Sequence, residues 1–112
     1  MAVPVLNTEL VLETPTRVAD TGGGFDVVWT PVGTVWAQVR PAGASEAITG
    51  RREAARVTHK ILIRSAPANS PRRPSANARF RSGQRVFAIH GVSEADQRGQ
   101  YLTCWAEEGP FS

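Results

Sequence analysis

The sequence predicts a mainly β fold, a small antiparallel β-barrel or sandwich with one short helix and a long basic loop. Three observations predict this fold: the hydrophobic periodicity is mostly two, turn-forming stretches separate the alternating runs, and only one segment has a helical pattern. The 112 residues are 41% hydrophobic and 21% charged, which is typical of a globular chain. This length predicts a single domain over residues 1–112.

The clearest strand pattern covers Val57–Arg64, in which alternate residues are apolar. Val35–Val39 alternates in the same way. Pro31 precedes it and predicts a break or an edge position, because proline cannot donate to a sheet ladder.

Two pairs of such runs predict hairpins. Leu10–Val18 and Phe25–Trp29 flank a stretch with three glycines, which permit the positive φ values of a tight turn. Arg85–Val92 and Gln100–Ala106 flank a polar stretch that contains Gly99. Together the runs predict about six strands.

Two segments depart from the strand pattern. Ala44–Ala55 has helical character, with Ser45 as a candidate N-cap and basic residues toward its end, although Gly50 weakens it. Ala66–Ala78 contains three prolines, two arginines and no bulky apolar residue to anchor it. It is predicted to be a long mobile loop.

The net charge of +3 is unevenly distributed along the chain. Residues 1–39 and 86–112 each hold one arginine against four acidic residues, which gives −3 apiece. Residues 40–85 hold eleven basic residues against Glu46 and Glu53, which gives +9. This asymmetry predicts an acidic partner, either nucleic acid or a complementary protein surface.

Five arginines of the basic middle are the candidate site. They can approach a phosphate backbone together, for which the bidentate guanidinium is suited. The alternative is that they are solvated or pair with acidic rims of neighbouring subunits. The candidates for DNA-channel or partner contact are Arg51, Arg52, Arg56, Arg72 and Arg73.

The three tryptophans offer two readings. Trp29, Trp36 and Trp105 can stack bases in a single-strand binder, but Trp36 and Trp105 lie in strand patterns and fit the core or a subunit interface.

Catalytic, metal and cofactor signals are missing from the sequence. His59 and His90 are the only imidazoles, and neither has ligand spacing for zinc. Gly22–Gly24 lacks the Lys-Ser/Thr of a phosphate loop. The adjacent Glu107 and Glu108 point to opposite faces of a strand and are expected to form a solvated tail. The chain is therefore predicted not to be an enzyme and to hold no cofactor.

The remaining features concern location. Cys104 is the only cysteine and lies in an apolar run, which predicts a buried, unreactive thiol and fits a reducing cytoplasm. No signal-peptide pattern and no membrane-spanning run is present, so no membrane partner is expected.

Three ordered stretches carry a resemblance to a known family. They are Trp29–Pro41 (WTPVGTVWAQVRP), Gly43–Arg64 with its Thr-His-Lys run, and Gly83–Val92 followed by Asp96–Arg98 and Leu102–Gly109. Together they cover about three-quarters of the chain. The sequence resembles the phage head–tail joining protein family, the small connectors of long-tailed phages and gene transfer agents. It departs from the family pattern in two places. Met1–Glu9 lacks the basic residues expected at the N-terminus, and the loop Ala66–Ala78 is longer and more basic than in the family.

The resemblance implies a virion component that forms a homo-oligomeric ring of on the order of six or twelve copies at the head–tail junction. Its implied partners are a portal or adaptor ring above, a tail terminator or tail tube below, and packaged double-stranded DNA in the channel. The sequence leaves open the stopper and adaptor roles, and infectious phage versus gene transfer agent. The alternative is a small β-barrel that binds single-stranded nucleic acid.

Overall fold

The computed structural model describes residues 4–43, 57–67 and 69–109. The predicted helix Ala44–Ala55, and with it Arg51, Arg52 and Arg56, lies outside the described residues. Six strands are described: β1 (Thr8–Ala19), β2 (Phe25–Pro41), β3 (His59–Arg64), β4 (Arg79–Ser82), β5 (Arg85–Glu94) and β6 (Tyr101–Gly109).

The six strands form a closed barrel in the order β1-β2-β3-β6-β5-β4, and β4 pairs back onto β1 to close it. All six neighbouring pairs are antiparallel. The predicted mainly β fold is confirmed, in its barrel form. Closure pairs the strands of the barrel on both sides and so removes free sheet edges there.

The barrel interior is the hydrophobic core. Phe80 of β4 and Phe87 of β5 are its largest members and are 0% and 1% exposed. Burial of such side chains stabilises the fold by about 1.5–3 kcal/mol each. The other core residues are Leu10, Leu12, Ala37, Ile61, Ile63, Ala78, Ile89, Leu102, Cys104 and Ala106.

The strand prediction was right in number but wrong in two details. The runs Phe25–Trp29 and Val35–Val39 belong to one strand, β2. Pro31 does not break it, because β3 pairs with β2 only from Ala37 to Pro41 and leaves Pro31 at an edge. The second detail is the four-residue strand β4, which was not predicted.

The loop between β3 and β4 is anchored. Ala78 is buried, and its carbonyl accepts a hydrogen bond from the backbone N–H of Ile89 at 3.0 Å. The N–H of Asn77 donates to the carbonyl of Ile89 at 3.2 Å, and Arg73 Nη1 donates to the carbonyl of Ala66 at 2.9 Å. Hydrogen bonds therefore anchor the loop at both ends, whereas its predicted mobility stays a prediction.

Candidate functional site

Strands β1 and β2 continue beyond the barrel as a two-stranded ribbon. Thr14–Ala19 pairs with Phe25–Thr30, whereas β4 pairs with β1 only at Val11–Glu13. We call residues 14–30 the arm. All residues from Pro15 to Val28 are exposed, and the molecule measures 55 Å along its longest axis against 29 and 25 Å. The arm therefore projects from the barrel.

A buried ion cluster lies where the arm leaves the barrel. A β-bulge between Leu12 and Glu13 places both side chains inside, and Glu13 is only 4% exposed. Its carboxylate accepts hydrogen bonds from Arg79 Nε at 2.7 Å and from Arg81 Nε at 2.8 Å. The Arg79 guanidinium also lies 4.2 Å from the ring centroid of Trp29 in the arm. These contacts fix the direction of the arm.

The protonation of Glu13 depends on both arginines. Burial acts to raise the pKa of Glu13, but the hydrogen bonds from Arg81 and Arg79 outweigh it, so this pKa lies below its ordinary value. Within the described residues Arg79 Nη1 is buried without a hydrogen-bond partner. The cluster is thus a structural support that requires an ionised Glu13.

The arm ends in a well-defined turn. Asp20 Oδ1 accepts hydrogen bonds from the N–H groups of Gly22 and Gly24, each at 2.8 Å, and the Asp20 N–H donates to the Gly24 carbonyl at 3.0 Å. Gly23 has a φ of 88°, which favours glycine. The predicted hairpin with its glycine turn is confirmed.

Large apolar side chains cover the outer part of the arm. Phe25 and Val27 lie on one face and are 59% and 54% exposed, while Val18 and Val28 lie on the other face and are 45% and 47% exposed. The Arg17 guanidinium lies 4.6 Å from the ring centroid of Phe25. Each face of the arm therefore exposes a pair of large apolar side chains, which makes the arm a candidate interaction surface.

An open groove of about 530 Å³ lies on the barrel beside the edge of β2. Trp36 lines it and is 56% exposed. We call it the Trp36 groove. Its other lining residues are Pro4, Leu6, Thr34, Val35, Arg64, Ser65, Ala66 and Arg72. The lining is largely apolar, with two guanidinium groups and no carboxylate.

The structure separates the two described candidate arginines. Arg72 is exposed in the Trp36 groove and packs against Gly33, where an added Cβ would lie 3.2 Å from Arg72 Nε. Arg73 is half-buried and donates to the Ala66 carbonyl. Arg64, which sequence reasoning missed, joins Arg72 in the groove. Arg64 ends an alternating strand and directly precedes the basic loop, and this position in the sequence could have identified it as a candidate.

Other basic residues are neutralised within the chain. Arg85 donates to both carboxylate oxygens of Glu108, at 2.8 and 3.1 Å, and these bonds lower the pKa of Glu108. Glu107 lies on the opposite side of β6 and pairs with His90 at 2.9 Å. The opposite faces are confirmed, but the expectation of a tail is wrong, because both residues lie within strand β6 and their carboxylates are paired.

The tryptophans lie in three different environments. The Arg79 guanidinium covers the ring of Trp29. Lys60 Nζ lies 5.5 Å from the ring centroid of Trp105, and Trp105 Nε1 donates to Ser93 Oγ at 3.3 Å. Trp36 is exposed, so a core position for it is excluded and an interface position remains.

The titratable groups near the core have structural contacts. The His59 ring packs edge-to-face on Phe87 at 5.2 Å, and its Nδ1 shares a 3.0 Å hydrogen bond with Thr58 Oγ1. The thiol of Cys104 is buried, as predicted, and burial raises its pKa to about 12. Among residues 4–43, 57–67 and 69–109 no cluster of three metal-ligating side chains occurs. The same part of the chain contains no helix long and apolar enough to cross a membrane.

These features define a small β-barrel protein with two exposed surfaces: a projecting arm and a largely apolar groove that carries two arginines. The model of the phage head completion protein family matches residues 1–109. The chain therefore belongs to the phage head completion protein family.

Two solved structures are similar to this chain over nearly its whole length. A chain from the virion of a native gene transfer agent particle has 40% sequence identity and a TM-score of 0.74, with 97% of this chain and all of that chain covered. Protein SF1141 from Shigella flexneri 2a, solved in solution, has 26% identity and a TM-score of 0.72, with 97% of each chain covered. No curated protein matches.

The resemblance found in the sequence is thus confirmed. The chain is a component of a virion or phage-like particle, in a family of structural head proteins, and assembles with other components of that particle.

Proposed function

We propose that this chain is the connector subunit that closes the filled head and joins it to the tail. It forms a ring below the portal or adaptor ring, binds the tail terminator or tail tube, and gates the DNA channel as a stopper. The observation that carries the proposal is the match over residues 1–109 to the head completion family, together with the 40% identity to a complete chain of a gene transfer agent virion.

The fold supports a structural role in an assembly. The closed barrel gives each subunit a stable body of its own, and the arm and the Trp36 groove give it two different exposed surfaces. Two different surfaces per copy are what a head-to-tail ring requires, since each copy contacts the next through unlike patches.

The channel contact is the finer part of the proposal. Arg51, Arg52, Arg56, Arg72 and Arg73 line the DNA channel or contact a neighbouring subunit. Arg72, exposed at the groove, is available for either role, whereas the guanidinium of Arg73 already binds the Ala66 carbonyl. In a ring structure, all five side chains on the outer circumference and away from neighbours would exclude this assignment.

Single-stranded nucleic-acid binding is the less favoured function. Trp29 and Trp105 already lie against Arg79 and Lys60, which leaves Trp36, 56% exposed, as the one exposed tryptophan for stacking. Base stacking platforms use several such aromatic side chains.

Deletion of the chain from a particle-producing cell tests the connector function. We expect filled heads and separate tails, seen by electron microscopy, with joining restored when the chain is supplied again. Joined, DNA-retaining particles in its absence would refute the proposal. A persistent monomer that shifts oligonucleotide mobility at low salt would favour the nucleic-acid-binding barrel instead.

A further inference from the structure

We infer that the tip of the arm, residues 18–27, docks into the Trp36 groove of a second copy of this chain. The inference rests on the proposed ring and names the two surfaces that build it. None of the residues 4–43, 57–67 and 69–109 covers either surface, and the two differ in shape, since one projects and the other is concave.

The two surfaces match in apolar character. At the tip, Phe25 and Val27 are more than half exposed. In the groove, Trp36 is more than half exposed beside Leu6 and Pro4. An aromatic side chain that fills an apolar groove next to a tryptophan is the usual anchor of a protein–protein interface.

The charges of the two surfaces are complementary. The tip carries Asp20 in its turn and Asp26 on the face opposite Phe25 and Val27, so the two charges flank the apolar side chains. Neither forms an ion pair with any described residue. The single cation of the arm, Arg17, lies on Phe25. The groove carries Arg64 and Arg72 and no acidic residue. Opposite charges around an apolar contact set its orientation and favour the correct partner.

The positions of the two surfaces favour a second copy as the occupant. Phe25 and Trp36 lie on the same strand, eleven residues apart, so at ~3.3 Å per residue they are separated by about 36 Å. An arm therefore does not reach the groove of its own chain. Each copy offers one arm and one groove, so the contact repeats from copy to copy and closes when the rotation per step completes a circle.

Cross-linking between two cysteine variants tests the contact in assembled particles. Val27→Cys places a thiol on the tip and Thr34→Cys places one on the exposed wall of the groove. The native thiol of Cys104 is buried and does not compete. The two variants are produced together in cells that lack the unaltered chain, and the purified particles are treated with a short bismaleimide.

We expect covalent dimers from the mixture and none from particles that contain either variant alone. Dimers from Val27→Cys alone would show an arm-to-arm contact and overturn the inference. Links from Val27→Cys to a different particle protein would show that the tip of the arm contacts another component, and this result would also overturn the inference. Particles that contain the chain but give no dimer would also overturn it.

A charge exchange provides the second measurement. Asp26→Lys is expected to lower the yield of joined particles about tenfold, because it replaces an attraction to Arg64 and Arg72 with a repulsion. Combination with Arg64→Glu and Arg72→Glu should restore most of the yield. As a control, Gln84→Asp in the exposed β4–β5 turn, at the end of the barrel away from the arm, should leave the yield of joined particles unchanged. Failure of the exchange to restore joining overturns the pairing. If the unaltered chain is itself absent from particles, the connector function fails instead.

Discussion

The barrel and the arm share two strands but are stabilised in different ways. In the barrel, Leu10 and Leu12 of β1 are buried and every strand has a neighbour on each side. In the arm, the same strand has one neighbour, and its residues from Pro15 onward are exposed. A two-stranded ribbon alone is marginally stable in water. The arm therefore depends on its supported base, its turn and, in the proposed ring, its partner.

The largest expected effect on stability comes from comparing a phenylalanine of the barrel core with a phenylalanine of the arm. Phe80→Ala in the core should lower the free energy of unfolding by about 4 kcal/mol, because it leaves a cavity. Phe25→Ala in the arm should lower it by less than about 1 kcal/mol, because Phe25 is 59% exposed and the change removes its contact with Arg17 but leaves no buried cavity. Urea unfolding measures both. Equal losses would show that the arm packs as part of the core.

Loss of the cluster at the arm base should have the next largest effect. Glu13→Gln leaves Arg79 and Arg81 without their carboxylate and should cost about 3 kcal/mol of unfolding free energy. Glu9→Gln, at an exposed position of the same strand, is the matched control and should cost little. A neutral Glu13→Gln variant would mean that the cluster does not support the barrel.

Acidification should weaken the same cluster gradually. Because the pKa of Glu13 is lower in the folded chain than in the unfolded chain, its ionised form stabilises the fold above about pH 4.3. This contribution is lost as the pH falls through the lowered pKa. Urea midpoints measured from pH 7 to pH 3 should fall more steeply for the unaltered chain than for Glu13→Gln. Parallel curves would contradict the role of Glu13, since Glu108 titrates in both proteins.

The smallest expected effect concerns the turn. Asp20→Ala removes the acceptor of two N–H bonds and should destabilise the arm locally by about 1 kcal/mol. Amide hydrogen exchange should quicken in Phe25–Thr30 but not in β5 or β6. Asp20→Asn, which keeps an acceptor oxygen, should exchange nearly as slowly as the unaltered chain.

The regular part of the fold was predictable from periodicity and turn residues. The alternation in Val57–Arg64 and the three glycines after Val18 are local signals, and they predicted β3 and the arm hairpin. Barrel closure was not predictable in this way. Strand β4 has a single buried residue, Phe80, and its pairing with β1 brings Arg79 to a carboxylate 66 residues earlier in the chain. Local pattern does not encode such a contact.

The candidate site was predictable only in part for a related reason. A sequence shows basic residues but not their partners. The same contact with DNA or a partner was therefore predicted for Arg72 and Arg73, although only Arg72 lies in the groove and Arg73 binds the Ala66 carbonyl. Phe25 and Val27 alternate along their strand as core residues do. Only the pairing of β1 with β4, which ends at Glu13, shows that they lie beyond the barrel. The anchored loop depends on backbone bonds to Ile89, which side-chain pattern does not reveal.

The exposed ribbon also has a consequence for the chain before assembly. Both outer edges of the arm carry backbone groups that none of the six described strands pairs, and these edges are flanked by valines and a phenylalanine. Such edges are templates for unwanted strand pairing and aggregation. Pro15, which has no N–H, interrupts one of them, in the way that natural proteins protect such edges. In the proposed ring the groove of the next copy covers the tip, so the unassembled subunit is the form that exposes these edges most.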